Sequence, residues 1–349
     1  MKIATDHYLN SVIYSRVDTL LDLKTLEKCL SEGMDSLINY LVKTPYFSAV
    51  RLAPTDFENP VTLESKIIER MFMEYRNIRS IAGERIKRCL EYFAMRYFVK
   101  NLFFLISCKI LNLGISDAKK MFLCIEPRWS ITPEKMYGLD IERYPELFDG
   151  WLSSSLRRAI QTYREEGNLG VIEAELTKGV YESEVEFFAV NHYRGREAFV
   201  KALRTEIDLV NISSIVKGIA LNAGERAIIF NLIEGGTIDM KLLVELSRMK
   251  RIKEVIHHLE GSGYEELLEM GDTEPKIYTA RLEARMMITL YKLYRDILYD
   301  VGNTMIPLAY LYLRWIESKI VRGIYNSLRH GYPYDFAAEL TLPAVSRRI

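Results

Sequence analysis

Apolar residues recur at steps of three and four along most of the chain, and two-residue alternation bounded by turn signals is scarce, so the pattern predicts an all-α fold. Three long stretches carry the argument. From Phe93 to Asn112 the segment is apolar nearly all round (Phe93, Tyr97, Phe98, Leu102, Leu105, Ile106), as expected of a central helix enclosed by others. From Glu197 to Asn222, Phe199, Leu203, Ile207 and Val210 are continued by Ile212, Ile215, Val216 and Ile219, which predicts one broad buried face. From Pro307, well suited to a first helical turn, Leu311, Trp315, Ile316, Ile320, Ile324 and Leu328 lead to a stop at Gly331.

Breakers separate these units. Pro54 and Pro60 interrupt the first third, and the segment from Cys124 to Gly150 holds Pro127, Pro133, Gly138, Pro145 and Gly150, the best boundary or crossover. Gly167 and Gly170, Gly235 and Gly236, and Gly261 and Gly263 mark later joints. Between them, stretches such as KIIERMFMEYRNIRSIAGERIKRCLEYF mix both charge signs with apolar residues at helical spacing, so their charges are expected to lie on solvated faces.

The long helices also align with one another. FVKNLFFLISCKILNLG from Phe98, DLVNISSIVKGIALNAG from Asp208 and ESKIVRGIYNSLRHG from Glu317 share a frame in which Asn101, Asn211 and Ile320 fill one column, at separations of 110 and 109 residues. Leu102, Ile212 and Val321 fill the next column, and Leu105, Ile215 and Ile324 another; Gly114, Gly224 and the neighbourhood of Gly331 are expected to close the helices. Three weakly similar helical modules follow, with boundaries expected at 1–123, 124–226 (including a crossover linker at 124–150) and 227–349. A threefold repeat of this length suits a ring or funnel lined by its long helices.

Composition narrows the class. The 349 residues exceed one ordinary core, which agrees with several modules. Lys plus Arg and Asp plus Glu are both 47, so the formal net charge is zero and nothing overall draws the chain to nucleic acid or anionic lipid. Cys29, Cys89, Cys108 and Cys124 are too dispersed for a metal knuckle and too few for a disulfide scaffold, which predicts reduced, mostly buried thiols in a cytoplasm. LFFLISCKIL from Leu102 is short and contains Lys109, and MKIATDHYLNSVIYSRVDTLL lacks a signal-type apolar run; neither a secretory signal nor a spanning helix is expected.

Candidate chemistry is sparse. The histidines (His7, His192, His257, His258, His330) form no pair at metal-ligand spacing, and no phosphate-cradling glycine loop or nucleophile elbow occurs. EGGTID and EGSGYEE carry acidic residues where a phosphate would be repelled and read as turns. Glu182, Glu184 and Glu186 scatter around a helix and are expected on a solvated face. Basic clusters such as SRMKRIKEV are short and offset by acidic neighbours, so no nucleic-acid partner is expected, and no metal or cofactor either.

Several segments resemble the central-stalk component of rotary V-type and archaeal A-type ATPases, the C subunit in the archaeal enzyme and the d subunit in the eukaryotic one. YLNSVIYSRVDTLL is similar to the family's opening helix, with Arg16, Val17, Leu20 and Leu21 in place. LRTEIDLVNISSIVKG resembles its Asp-x-x-Asn-Ile helix through Asp208 and Asn211. PLAYLYLRWIESKIVRGIYNSLRHG resembles its closing helix, keeping Pro307, Tyr310, Glu317 and Arg322 and departing at Trp315 and Ile320.

The resemblance implies three similar helical modules around a pseudo-threefold axis, forming a funnel peripheral to the membrane on its cytoplasmic face. Its partners would be the proteolipid rotor ring and the central-axle subunits. Its role would be mechanical, linking ion transport to ATP synthesis or hydrolysis without catalysis of its own. Asn101, Asp208, Asn211, Glu317 and Arg322 lie on the repeated helices, where each either bridges helices or faces the axle; bridging is the simpler expectation because buried polar groups must be satisfied. Two other classes stay open: a free-standing helical-repeat scaffold for unrelated proteins, and an enzyme whose site is assembled only in space.

Overall fold

The computed structural model describes residues 2–48, 50–116, 132–268 and 274–342, and all regular structure among them is helical. The helices of eight residues or more are α1 (Lys2–Val17), α2 (Leu23–Glu32), α3 (Met34–Lys43), α4 (Pro60–Ile81), α5 (Glu84–Ile110), α6 (Gly150–Glu166), α7 (Gly170–Val190), α8 (Arg196–Ala220), α9 (Met240–Ser247), α10 (Pro275–Tyr299), α11 (Ile306–Arg329) and α12 (Tyr334–Thr341). Helix starts follow local chemistry. Asp22 caps α2 by accepting from the Lys24 and Thr25 amides, and Asn59 caps α4 ahead of Pro60.

The three predicted long helices are α5, α8 and α11. α5 starts at Glu84, earlier than its apolar stretch, because Ile86, Cys89 and Leu90 already face the core. Their C-terminal ends share one hydrogen-bonding scheme in the same register. The Leu113, Ala223 and Tyr332 amides donate back to the Cys108, Gly218 and Ser327 carbonyls at 2.8, 2.8 and 3.1 Å. In the middle of each turn Asn112, Asn222 and Gly331 adopt left-handed backbone with φ of 53°, 52° and 66°. This corrects the expected closure by Gly114, Gly224 and Gly331. Gly331 belongs with the two asparagines, whereas Gly114 and Gly224 share their register with Pro333, just ahead of the next helical segment in each case.

Each long helix follows an antiparallel partner: α4 leads into α5, α7 into α8 and α10 into α11. Between pairs the packing is cyclic, with α5 against α7, α8 against α10, and α11 back against α4. The turns that open the long helices are tied together. Tyr193 donates to the Arg85 carbonyl at 3.2 Å, the Thr304 amide donates to the Arg194 carbonyl at 3.0 Å, and Asn10 Nδ2 reaches the Asn303 carbonyl at 3.0 Å.

The N-terminal helices complete the far end of the chain, since α1, α2 and α3 all pack on α11 and α12 packs on α2. Most of the apolar interior is one continuous core, and a second gathers the later half of α5 with α6 and α7. Charges on α4 depart from the expected solvated face. Arg70 and Glu74 are buried and ion-paired at 2.5 Å, and Arg16 of α1 reaches the same carboxylate at 2.6 Å. The Arg70 pair is local at four residues' spacing, but Arg16, which completes the neutralisation of Glu74, comes from a distant helix that local spacing cannot reveal. Cys29, Cys89 and Cys108 are buried, with burial pushing the Cys89 thiol up to about 12, and Cys124 lies outside the described residues.

Candidate functional site

The polar residues picked out on the long helices meet different fates. Asn211, fully buried, donates from Nδ2 to the Ile233 carbonyl and accepts from the Ile233 amide, both at 2.8 Å. Asp208, one turn earlier, accepts from the Thr237 and Ile238 amides at 2.9 and 3.1 Å, from the Thr237 hydroxyl, and from Tyr264 at 2.7 Å. The EGGTID turn therefore wraps a carboxylate rather than a phosphate. A Cβ on Gly236 would collide with Asp208 Oδ1, so this close approach requires glycine.

Glu317 holds the same register as Asp208 and again captures backbone from another segment. It accepts from the Leu21 amide at 2.7 Å and from Arg314 at 2.8 Å, while Arg314 also donates to the Thr19 carbonyl at 2.9 Å. Asn101 is buried in the column of Asn211, and Ile320 fills that column with an apolar side chain. Arg322 differs from all of these: it is half-buried and ion-paired with Glu64 of α4.

Between the three helix pairs lies a network centred on Arg96. Its guanidinium pairs with Glu184 of α7 at 2.8 Å and Glu206 of α8 at 2.5 Å, and sits 4.6 and 4.7 Å from the ring centres of Tyr181 and Tyr312. Tyr181 and Tyr294 donate to Glu206 at 2.9 and 3.3 Å, and Tyr312 donates to Glu184 at 3.1 Å. Tyr294 and Tyr312 stack with centroids 4.6 Å apart. Five helices (α5, α7, α8, α10, α11) meet in this cluster. Burial pushes the Glu184 carboxyl above the usual carboxylate range, and Arg96 opposes that shift.

Glu184 thus corrects the solvated-face expectation for the 182–186 series, in which only Glu182 and Glu186 are exposed. Its partner lies 88 residues away. The sequence does carry a signal for part of the cluster: Arg96 and Glu206 are one repeat period apart, with Trp315 in the third position of that column.

One helical turn beyond Arg96, toward the C-terminal ends of the long helices, the corresponding column reads Lys100, Val210 and Lys319. None of these three is fully buried, in contrast to the apolar column of Leu102, Ile212 and Val321 two positions on. A cavity of about 90 Å³ opens beside Lys100, lined also by Phe93, Arg96, Val180, Tyr312 and Trp315 among others, whereas Val210 borders a separate hollow with Thr177 and Ser214. Neither lysine has an ion-pair or hydrogen-bond partner among the described residues. Burial pushes the Lys319 amine down to about 7, with the Arg322 and Lys100 cations adding to the effect, and Lys100 is lowered by burial and by Arg322.

No cluster of His, Cys, Asp and Glu able to hold a metal occurs among the described residues. No described helix is long and apolar enough to cross a membrane. The arrangement is a small, mostly apolar-lined concavity beside a locked ionic cluster.

The chain is 26% identical over 269 residues to the A-type ATP synthase C subunit of Methanocaldococcus jannaschii, covering 75% of this chain and 66% of that protein. It is 24% identical over 202 residues to the A-type ATP synthase C subunit of Thermoplasma volcanium, covering 55% of this chain and 54% of that protein. It thus spans about two thirds and about half of these relatives' lengths. The family model for the ATP synthase (C/AC39) subunit matches residues 9–340, which takes in all three long helices and the ionic cluster between them. On that match this chain belongs to the ATP synthase (C/AC39) subunit family.

Proposed function

We propose that this chain is the central-stalk coupler of a rotary ATPase. In this reading three modules (1–123, 124–226 and 227–349) stand around a pseudo-threefold axis as a funnel, closed where α1–α3 pack back on α11. The wide mouth receives the end of the central axle, and the narrow end sits on the proteolipid ring at the cytoplasmic face of the membrane. Torque from ion flow through the ring passes through the funnel to the axle, and the subunit itself carries out no chemistry.

The observation that carries this reading is the shared register of α5, α8 and α11. Equivalent positions are spaced by 110 and 109 residues, the helix pairs pack cyclically, and the column of Lys100, Val210 and Lys319 is partly exposed in all three helices. The tied turns at Arg85, Tyr193 and Thr304 support a narrow end, where Val190, Tyr299 and Val301 are 70%, 61% and 80% exposed and offer apolar contact to a ring. Half-buried Arg322 is the polar candidate best placed to meet a partner; Asp208, Asn211 and Glu317 are engaged within the chain and hold the modules' segments together.

Torque transmission needs a body that does not shear. Large helix faces packed at interior density supply most of that stiffness. The Arg96 cluster adds directional bonds between pairs that cannot slide without breaking ionic contacts. The test is chemical cross-linking of the intact complex. Cross-links from the mouth of this chain to the axle and from its narrow end to the ring are expected; a chain that bound neither partner in a pull-down would sink the reading.

A further inference from the structure

The chain that follows α8 and the chain that follows α11 treat their helix pairs differently. Glu225 and Tyr334 stand 109 residues apart, as Asn211 and Ile320 do, so the short helix Glu225–Phe230 and α12 are repeat equivalents. α12 packs on both members of its pair, α10 and α11, with Ala337, Ala338 and Thr341 buried. Glu225–Phe230 packs instead on α8 and α9, with Ile228 seated on Gly218. Two contacts span from it to the other side. Arg226 pairs with Glu166, just ahead of α7, at 2.8 Å, and Lys178 of α7 lies over the Phe230 ring at 4.4 Å. They act as posts, and between the short helix, α7 and α8 lies a hollow of about 570 Å³ with Val171, Ala174, Val210 and Ala227 on its walls.

We infer that this hollow in the second module receives the apolar face of a helix from the axle protein, with a basic residue at the edge of that face. The inference rests on the socket reading above, which places the axle at the end where the long helices stop; the hollow reaches that end, its wall running to Gly224 just past α8. Three features specify the occupant. The equivalent groove of the third module is filled by a helix with a small apolar face, so the pair geometry is one that a helix fits. A volume of about 570 Å³ lies within the range of about 300–1,000 Å³ typical of specific binding sites, which accommodates several side chains from one helix face. Charge complementarity sets the edge: Glu166, Glu173 and Arg226 border the hollow and leave one net negative charge, which favours a cation on the occupant and disfavours a phosphate or an acidic peptide.

The experiment measures binding of the full chain to the purified axle protein of the same complex, at low and high salt. Ala227 is exposed on the wall of the hollow, so Ala227→Trp fills the space without entering the core; Ala189→Trp, exposed at the far end of α7, is the control. Ala227→Trp is expected to lose about tenfold or more in affinity at both salt concentrations with an unchanged melting temperature, while the control binds as wild type. Glu173→Lys is expected to lose affinity mainly at low salt. Wild-type affinity in Ala227→Trp would overturn the inference while leaving the socket intact, and wild-type salt dependence in Glu173→Lys would overturn the basic edge. Absence of wild-type binding would remove the socket and the inference with it. A photo-cross-linking residue at position 227 identifies the occupant in the assembled complex: label on the axle is expected, and label on the ring, on a second copy of this chain or on nothing would refute the assignment.

Discussion

Asn211 shows what a single buried amide can hold. Its two 2.8 Å bonds to the Ile233 backbone use both faces of the carboxamide, so Asn211→Leu leaves a buried N–H and C=O unsatisfied. The expected cost is about 2–4 kcal/mol in urea unfolding, with axle binding unaltered once the protein is folded. Arg96 is the costlier position. Arg96→Met strands Glu184 and Glu206 in the interior and should destabilise the chain by about 3–5 kcal/mol. Adding Glu184→Gln and Glu206→Gln to that variant should recover part of the loss, because the three groups form one coupled set; strict additivity in the same denaturation assay would contradict this. Asn211 is legible in the sequence through its repeat column and an Asp three residues earlier. Glu184 is not, because whether a helical carboxylate is buried depends on a cation from another helix.

Two helix-level features invite direct tests. The long helices end on left-handed residues, glycine in one case and asparagine in two, so Asn222→Ala should cost about 1–2 kcal/mol while Asn222→Gly should cost nothing. Thermal melts of the two variants decide this. Lys319 on α11 gives a pH signature. Its amine is near 7 in the folded chain and about 10.4 when unfolded, so between those values the unfolded chain binds the extra proton. Stability should therefore rise with pH from about 7 to about 10, and below 7 the folded chain carries the crowded cation in full. Lys319→Met should be more stable than wild type at neutral pH, with the gap closing toward pH 10 in paired melting curves. Element boundaries are largely readable from the sequence, since caps and periodicity are local. The closure column falls two residues away from its expected place because glycine and asparagine share the left-handed role.

Across the whole molecule, chain ends are joined by Arg314 and Glu317, which hold Thr19 and Leu21 from nearly 300 residues away. Deleting residues 1–22 should leave both charges buried without these partners. Hydrogen exchange should then show loss of protection along α11 and a split of the single unfolding transition; unchanged α11 protection would contradict the closure described here.

Helical periodicity and the 110-residue spacing lie along the chain, so the residues alone specify an all-α fold, its three long helices and its repeat. Those properties depend on neighbours three, four or one module away, at fixed separations. Which charges are interior, that α11 returns to α4, and that Arg96 gathers carboxylates from two other helices depend on contacts between residues 88 to nearly 300 positions apart. No local pattern encodes such pairings, because burial of a charge becomes tolerable only once the partner that neutralises it has been brought into place.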